Sequence, residues 1–285
     1  MKILIFGGSG MLGHKLYQIF SRRFDTYVTV RENASYYGRY NLFNPKHTIT
    51  NVRVEDYVSI VESINKSQPE VVVNCIGIVK QSNLANNPIA SISINSLFPH
   101  QLAELCLDKG IRVIHISTDC VFSGNKGKYK EDDVPDAIDI YGRTKYLGEL
   151  NKEGCLTIRT SMIGRELATS HGLLEWFIRQ KGKSVSGYSQ AIFSGLTTDC
   201  LADVLTMIIN KEKELSGVWH IASEPINKYD LLTLIKKIYD LRIEIKPDET
   251  VVYNRSLDSS RFHEVTGFVA PSWTEMIERM YRGCL

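Results

Sequence analysis

The chain has 285 residues, of which 43% are hydrophobic and 23% charged, and its formal net charge at pH 7 is +2. This length and composition suit one large folded domain, or a large domain with a smaller one, and exclude an intrinsically disordered chain. The small net charge gives no basic surface for nucleic acid, and no apolar run reaches the length that spans a membrane.

The cysteine pattern points to a reducing compartment. No two cysteines have Cys-x-x-Cys spacing, and most lie in apolar or helical patterns, which is typical of reduced thiols rather than of disulfides or metal ligands. The six are Cys75, Cys106, Cys120, Cys155, Cys200 and Cys284. The first apolar run ends at Gly7, too early for a secretory signal. We therefore expect a cytoplasmic protein that holds no metal.

The N-terminal segment predicts a strand, a glycine turn and a helix. Apolar residues 3–6 are followed by glycines at positions 7, 10 and 13, and helical spacing then resumes. Such glycines permit a tight turn, a close backbone approach and close helix packing, while the helix N-terminus presents N–H groups to a pyrophosphate. We expect a dinucleotide to be held by Gly7, Ser9, Gly10, Met11, Leu12 and Gly13.

A second strand, predicted over residues 26–30, ends next to Arg31. In dinucleotide-binding folds this position faces the adenosine ribose, where an arginine accommodates a 2′-phosphate and an acid binds the 2′-hydroxyl. Arg31 therefore favours NADPH. Glu32 follows directly and leaves NADH open, and both side chains could also be solvated charges.

Further apolar runs of strand length at 70–76 and 112–117 alternate with segments of helical spacing. This alternation predicts an α/β fold with a doubly wound parallel sheet of the Rossmann type. The elements after residue 160 are shorter and more interrupted, which indicates a smaller C-terminal substrate-binding lobe. We predict a dinucleotide-binding domain over 1–160, with 196–221 returning to it, and a smaller lobe over 161–195 and 222–285, with substrate in the cleft between them.

Candidate chemistry is carried by Thr118, Tyr141 and Lys145. Tyr141 and Lys145 are four residues apart, hence on one face of a predicted helix, and a nearby ammonium helps a phenol exchange a proton near neutral pH. One Tyr-x-x-x-Lys arises by chance about once in a chain with this many tyrosines, so the spacing alone decides little. Thr118 follows a buried strand, at the edge where open α/β sheets bind ligands. The order of the three signals favours a catalytic site.

The glycine spacing G-x-x-G-x-x-G resembles that of the extended short-chain dehydrogenases/reductases. The segments ISTDCVFSG, YGRTKYLGE, CLTIRTS, FSGLTTDCLADVL, GVWHIASEPINKYDLL and RSLDSSRF resemble the dTDP-4-dehydrorhamnose reductase family, and the similarity covers essentially the whole chain. The resemblance implies an NAD(P)H-dependent oxidoreductase that reduces the 4-keto group of a nucleotide-activated 6-deoxy sugar for cell-surface polysaccharide. The resemblance leaves open whether the protein forms a homodimer.

The resemblance also implies a role for each site residue. Tyr141 would protonate the carbonyl oxygen, Lys145 would bind the nicotinamide ribose and tune Tyr141, and Thr118 would hold the carbonyl. Asn95 would support a water chain, unless it is simply a polar helix residue. Further contacts are implied for the cofactor at Cys75, Ile76 and Gly77, and for the substrate at Asp119, Cys120, Met162 and Arg255. Ser256, Asp258 and Ser259 resemble positions near the nucleotide diphosphate, or form a solvated loop.

The sequence departs from the family pattern at Met11, Cys120, Met162 and the loop 74–80, where a glutamine, two aromatic residues and an alanine-rich loop are usual. These departures lie near the expected pockets, so the chemistry carries over better than the identity of the sugar.

Two alternatives to a reductase stay open. One is a sugar-nucleotide 4-epimerase or dehydratase of the same fold, although dehydratases usually place a glutamate after the aspartate, where this chain has Cys120 after Asp119. The other is a catalytically silent regulatory subunit that binds NADP.

Overall fold

The computed structural model describes residues 1–283, so Cys284 lies outside the described residues. The strands are β1 (Lys2–Phe6), β2 (Asp25–Thr29), β3 (Thr48–Ile49), β4 (Val71–Asn74), β5 (Arg112–Ile116), β6 (Cys155–Arg159), β7 (Met162–Ile163), β8 (Ser184–Tyr188), β9 (Ala191–Phe193), β10 (Leu196–Thr197), β11 (Gly217–His220), β12 (Ile226–Asn227), β13 (Glu244–Asp248) and β14 (Tyr253–Asn254).

The helices alternate with these strands in the first half of the chain and are interspersed with shorter strands in the second. They are α1 (Met11–Phe20), α2 (Ala34–Tyr37), α3 (Tyr57–Ser67), α4 (Pro88–Ser91), α5 (Phe98–Leu107), α6 (Ile140–Leu147), α7 (Leu173–Ile178), α8 (Thr198–Lys211), α9 (Lys228–Ile238), α10 (Ser260–Thr266) and α11 (Trp273–Arg282). Among residues 1–283, no helix combines the length and apolar composition that crossing a bilayer requires.

The central sheet has seven strands in the order β11-β6-β5-β4-β1-β2-β3. The pairs from β6 to β3 are all parallel. This order is that of a doubly wound dinucleotide-binding sheet, whose connections reverse direction between β1 and β4. The predicted α/β, Rossmann-type fold is confirmed. The carboxyl ends of β1 and β4, at Phe6 and Asn74, flank the point where such sheets bind ligands.

The chain divides into two compact units. The first unit comprises Met1–Ser117, Asp139–Ile158 and Leu205–Val218, and the second comprises Thr118–Ile138, Arg159–Val204 and Trp219–Leu285. The predicted boundaries placed 118–138 with the dinucleotide-binding residues, whereas this segment is part of the second unit. The reason is non-local pairing: Tyr129 and Ser256 share a backbone hydrogen bond, and Tyr129 bridges to Leu257.

The core of the first unit is formed by the inner faces of the sheet and of α3 and α5. Leu4, Phe6 and Val72 from the strands pack with Ile60 and Phe98 from the helices, and all five are fully or almost fully buried. In the second unit, one cluster of buried residues includes Phe122, whose ring stacks on Tyr129 at 4.1 Å between centroids. None of the five described cysteines forms a disulfide bond.

Several short elements have no clear periodic pattern in the sequence. The segment 34–51 contains α2 and β3. The polar stretch 185–193 forms β8 and β9. The buried side of β8 carries Val185 and Gly187, so a glycine occupies a position where an apolar side chain would have revealed the alternation.

A π-helical segment, Ile92–Leu97, joins α4 to α5. Pro99 has no N–H to donate to the carbonyl of Asn95 four residues earlier, which favours this irregular winding. Gly148, which follows α6, approaches that carbonyl so closely that a Cβ on Gly148 would lie 1.9 Å from it. The absence of a side chain at Gly148 therefore sets how closely α6 packs on the π-helical segment.

Replacing Gly148 with Ala should lower the free energy of unfolding by about 1–3 kcal/mol, because the new methyl group overlaps backbone that has no room to shift. Urea denaturation measures the change. Gly38→Ala is the matched control, since a Cβ there has no neighbour within 4 Å. Equal stability of both variants would contradict the packing argument.

Candidate functional site

The glycine turn between β1 and α1 requires glycine for two reasons, backbone conformation and close packing. Gly7 has a positive φ of 84°, which L side chains rarely adopt. A Cβ on Gly13 would lie 2.2 Å from the carbonyl oxygen of Gly7, and one on Gly8 would lie 2.0 Å from a methyl group of Val28. The fold itself therefore requires glycine at these three positions.

Gly10 differs from its neighbours. A Cβ there would meet only the Gly7 carbonyl, at 3.4 Å, so protein packing does not demand a glycine. Gly10 is the N-cap of α1, no side chain caps this helix end, and no acidic residue lies in its first turn. These features fit the diphosphate of a dinucleotide, which needs close backbone approach and unopposed positive helix-end charge.

Beyond β2, two arginines and two glutamates form crossed ion pairs. Arg31 lies 4.0 Å from Glu55, and Arg53 lies 3.5 Å from Glu32. The Arg31 side chain is about half exposed. The sequence pointed to Arg31 and Glu32 but missed Arg53, which follows β3 and carried no motif.

The candidate catalytic helix α6 is anchored at its first turn. Asp139 caps it by accepting a hydrogen bond from the Gly142 N–H at 2.8 Å, and also binds Lys80 at 2.8 Å. Tyr141, half-buried, and Lys145 lie one turn apart on one face of α6. The predicted geometry of this pair is therefore present, while its catalytic role stays a prediction.

Lys145 is only 5% exposed and is held against β5. Its Nζ donates to the carbonyl oxygen of Ile116 at 2.8 Å and lies 3.5 Å from Nε2 of His115. Burial lowers the pKa of Lys145 to about 8, although Glu149 favours the charged form. Burial also raises the pKa of the Cys75 thiol to about 12, so Cys75 is a neutral neighbour.

Asn95 organises the loop after β4 on which Cys75, Ile76 and Gly77 lie. Its Oδ1 accepts the N–H of Ile78 at 2.9 Å, and its Nδ2 donates to the carbonyl of the same residue at 3.2 Å. A Cβ on Gly77 would lie 3.3 Å from Asn95 Oδ1 and 3.9 Å from Lys145 Nζ. Asn95 therefore holds this loop close to Lys145, and its role in a water chain stays a prediction.

In the second unit, Thr118 is the N-cap of a short 3-10 helix, Asp119–Val121. The Thr118 hydroxyl accepts the N–H of Cys120 at 3.1 Å and donates to Asp119 Oδ1 at 3.1 Å. Burial raises the pKa of Asp119 above its usual value, although Arg255 and Lys228 favour its charged form. The donor that a substrate carbonyl would need is thus engaged with a neighbouring carboxyl group.

Arg255 completes this polar cluster. Its Nε donates to the carbonyl of Phe122 at 3.0 Å, Nη1 lies 3.7 Å from the Cys120 sulfur, and its guanidinium lies 4.7 Å from the centre of the Tyr253 ring. Lys228 lies 5.8 Å from the same ring. The structure therefore adds Lys228 and Tyr253, which sequence reasoning missed because neither carried a motif.

The other residues of this loop are engaged within the protein. Ser256 is fully buried and donates to Asn254 Oδ1 at 2.7 Å, while Asp258 accepts the N–H of Ser260 at 2.9 Å. Ser259 donates to the Ala222 carbonyl at 3.4 Å. Met162 lies on β7, paired with Leu196 of β10.

Three curated relatives align with most of this chain. A probable low-salt glycan biosynthesis reductase of Haloferax volcanii is 27% identical over 79% of this chain and 75% of its own length. A dTDP-4-dehydrorhamnose reductase of Salmonella typhimurium is 24% identical over 98% of this chain and 97% of its own length. A methionine adenosyltransferase 2 subunit beta of Xenopus laevis is 22% identical over 99% of this chain and 90% of its own length.

Two solved structures share the fold along the chain. A hypothetical dTDP-4-dehydrorhamnose reductase from Sulfolobus tokodaii is 26% identical, with a TM-score of 0.79 over 96% of this chain and 98% of that one. The dTDP-4-dehydrorhamnose reductase of Bacillus anthracis, solved in complex with NADP, is 20% identical, with a TM-score of 0.82 over 100% of this chain and 99% of that one.

The match to a protein family covers almost the entire sequence. The model described as RmlD substrate binding domain aligns with residues 1–284. It thus spans the glycine turn, the helix that carries Tyr141 and Lys145, and the polar cluster around Arg255. The chain belongs to the RmlD substrate binding domain family.

Proposed function

We propose that this protein is an NADPH-dependent reductase that converts the 4-keto group of a nucleotide-activated 6-deoxy sugar to a hydroxyl group. The observation that carries the proposal is the pairing of Tyr141 with a buried Lys145 on one face of α6. Family membership and the names of the reductase relatives support this reaction class. The five described cysteines form no disulfide bond, which supports a cytoplasmic location.

The first unit supplies the residues for the cofactor. Gly10 and the uncapped end of α1 would hold the diphosphate, the loop 75–77 would lie beside the ribose, and Arg31 would bind a 2′-phosphate. When bound, the reduced nicotinamide would supply the hydride. NADH stays open because Glu32 follows Arg31 and could bind a free 2′-hydroxyl.

The proton that the reaction consumes would come from Tyr141. A charged Lys145 would stabilise the phenolate that remains, because opposite charges one helical turn apart attract and Lys145 is buried. Thr118 would donate a hydrogen bond from its hydroxyl to the substrate oxygen as negative charge develops, in place of its hydrogen bond to Asp119. Arg255, with Lys228 beside the same Tyr253 ring, would bind the nucleotide diphosphate.

A second candidate is a regulatory subunit that binds NADP without turnover. The alignment with methionine adenosyltransferase subunits favours it, because it extends over 99% of this chain. Tyr141 and the buried Lys145 favour the enzyme, since a binding role alone requires no proton donor. Incubation with NADPH and a panel of dTDP-, UDP- and GDP-4-keto sugars, followed by mass spectrometry of the products, decides between them. Cofactor binding without any reduced sugar would favour the regulatory subunit.

Tyr141→Phe keeps the ring and deletes only the proton donor, so kcat should fall at least about 100-fold while NADPH binding stays nearly intact. Steady-state kinetics and fluorescence titration of NADPH measure the two effects. Tyr146→Phe is the matched control, because Tyr146 lies on the same helix and is 44% exposed. Near-normal turnover of the Tyr141 variant would rule out this mechanism.

Arg31→Ala should weaken NADPH by about 1.5–3 kcal/mol and NADH much less, because only NADPH loses a charge-assisted contact. The dissociation constants of both cofactors provide the comparison. Arg39→Ala serves as control, since Arg39 lies over the Tyr36 and Tyr40 rings instead. Equal losses for NADPH and NADH would remove the basis for the cofactor preference.

Met162 and Cys120 are the positions where we expect sugar selection, because aromatic residues are usual at both. A lost contact of this kind changes discrimination by about 1–3 kcal/mol. We expect a poor kcat/KM for dTDP-4-dehydrorhamnose that rises when Met162→Trp and Cys120→Tyr are combined. Efficient native reduction of that sugar, with no gain in the double variant, would contradict this view of the pocket.

A further inference from the structure

Two buried polar side chains of the central sheet have no part in the proposed reaction. Asn74 ends β4 and is 1% exposed, and His115 lies opposite it on β5 and is fully buried. The residues around His115 on its strand are Val113, Ile114 and Ile116, all buried and apolar. A purely structural position in this layer would suit another apolar residue, because a buried polar group is costly unless it is hydrogen-bonded.

The orientation of the Asn74 amide is fixed by the backbone. One of its terminal atoms lies 3.0 Å from the N–H of Ile76. A backbone N–H can only donate, so this atom must be the amide oxygen. The amide nitrogen therefore faces Nδ1 of His115, at 3.1 Å. Asn74 thus presents a donor to His115, whichever way the imidazole titrates.

This donor selects one tautomer of His115. Nδ1 must accept the Asn74 amide N–H, so the single proton of the neutral imidazole resides on Nε2. Protonating Nδ1 would set two donors against each other. Burial first, and then the nearby Lys145 and His100, hold the pKa of His115 well below its usual value. His115 is therefore neutral, with its Nε2–H on the side of Lys145.

The Nε2–H meets the Lys145 amine from β5. Nε2 and Nζ are 3.5 Å apart, and Nζ also donates to the Ile116 carbonyl at 2.8 Å. A neutral amine can accept the imidazole N–H and still donate to that carbonyl, whereas an ammonium has no lone pair to offer. The fixed imidazole therefore favours the neutral amine.

The other titratable groups around Lys145 are few. Cys75 faces it from the loop after β4, where burial keeps the thiol neutral. Glu149, beyond the end of α6, favours the ammonium and accepts a hydrogen bond from the Ser117 hydroxyl at 2.7 Å. Tyr141 lies one turn earlier on α6. Glu149 and His115 thus act on the amine in opposite directions.

We propose that Asn74 and His115 are positioning residues that act through Lys145: Asn74 fixes the tautomer of His115, and His115 sets how readily the Lys145 amine gains and loses its proton. The catalytic importance of this effect rests on the proposed function, in which the charged amine assists Tyr141. The pair acts in addition to burial, which lowers the pKa of Lys145 to about 8.

The decisive change is Asn74→Asp. A carboxylate keeps the acceptor for the Ile76 N–H but accepts from His115 instead of donating, so the imidazole proton moves to Nδ1 and Nε2 becomes an acceptor for the ammonium. Lysine labelled with ¹³C at Cε reports ionisation inside a folded protein, and Lys145→Met assigns the signal. We expect the Lys145 midpoint to lie near 8 in the native protein and to rise by about one pH unit or more in the variant.

The new carboxylate also attracts the ammonium directly, so a second pair of variants isolates the route through the imidazole. His115→Phe fills the ring space without the N–H donor, and by itself should raise the midpoint. In the His115→Phe background, Asn74→Asp should add less than half of its shift in the native background. An equal shift in both backgrounds, or an unchanged midpoint in His115→Phe, overturns the proposal. His115→Phe also keeps the test available if Asn74→Asp does not fold.

His100→Gln is the matched control. His100 contacts the carbonyl of Leu147, which lies on the same helix as Lys145, at 2.8 Å, but does not contact Lys145 itself. The Lys145 midpoint of this variant should match that of the native protein. The alkaline limb of kcat should move upward in Asn74→Asp together with the NMR midpoint. If the native protein reduces no sugar of the panel, the proposed function fails, while the NMR midpoints still decide the role of Asn74 and His115.

Discussion

The burial of one amine constrains the first unit. The Lys145 side chain is almost fully buried, so its Nζ needs hydrogen-bond acceptors inside the protein. The carbonyl of Ile116, at the end of β5, supplies one at 2.8 Å. This bond ties the face of α6 that carries Lys145 to the end of β5, one helical turn from Tyr141. Gly148 then allows the end of α6 to approach the carbonyl of Asn95, whose side chain holds the loop after β4. Helix rotation, loop position and amine placement are therefore one coupled arrangement.

The sequence predicted the parts of this arrangement that local patterns encode. The strand-glycine-helix start, the buried strand before Thr118 and the four-residue spacing of Tyr141 and Lys145 each depend on nearby residues alone. The segment 118–138 could not be assigned in this way, because its partners at Ser256 and Leu257 lie far along the chain. Periodicity also failed where Gly187 interrupts the alternation of β8. His115 did leave a signal, since it is the one polar residue in the apolar run 113–116.

The Lys145 amine and the Thr118 hydroxyl differ in how many of their hydrogen-bonding positions are occupied by protein groups. In the first unit, the Lys145 amine has one backbone acceptor and one imidazole neighbour, and no carboxylate contact is needed to hold it. In the second unit, the hydroxyl of Thr118 is engaged on both sides, by the Cys120 N–H and by Asp119. A ligand carbonyl that takes the Thr118 donor must therefore replace its hydrogen bond to Asp119, a carboxyl group whose pKa is raised by burial.

The glycine turn contains three glycines that the fold requires and one glycine that a bound ligand would require. Gly7, Gly8 and Gly13 are dictated by backbone conformation or by contacts that a Cβ would violate, so any protein with this turn would need them. Gly10 is not dictated in this way, and it sits where an uncapped helix end carries partial positive charge. A free-standing βα turn gains nothing from glycine there, because glycine increases the entropy that folding must overcome. A bound diphosphate does gain, since the missing side chain lets its oxygens reach the backbone N–H groups of α1.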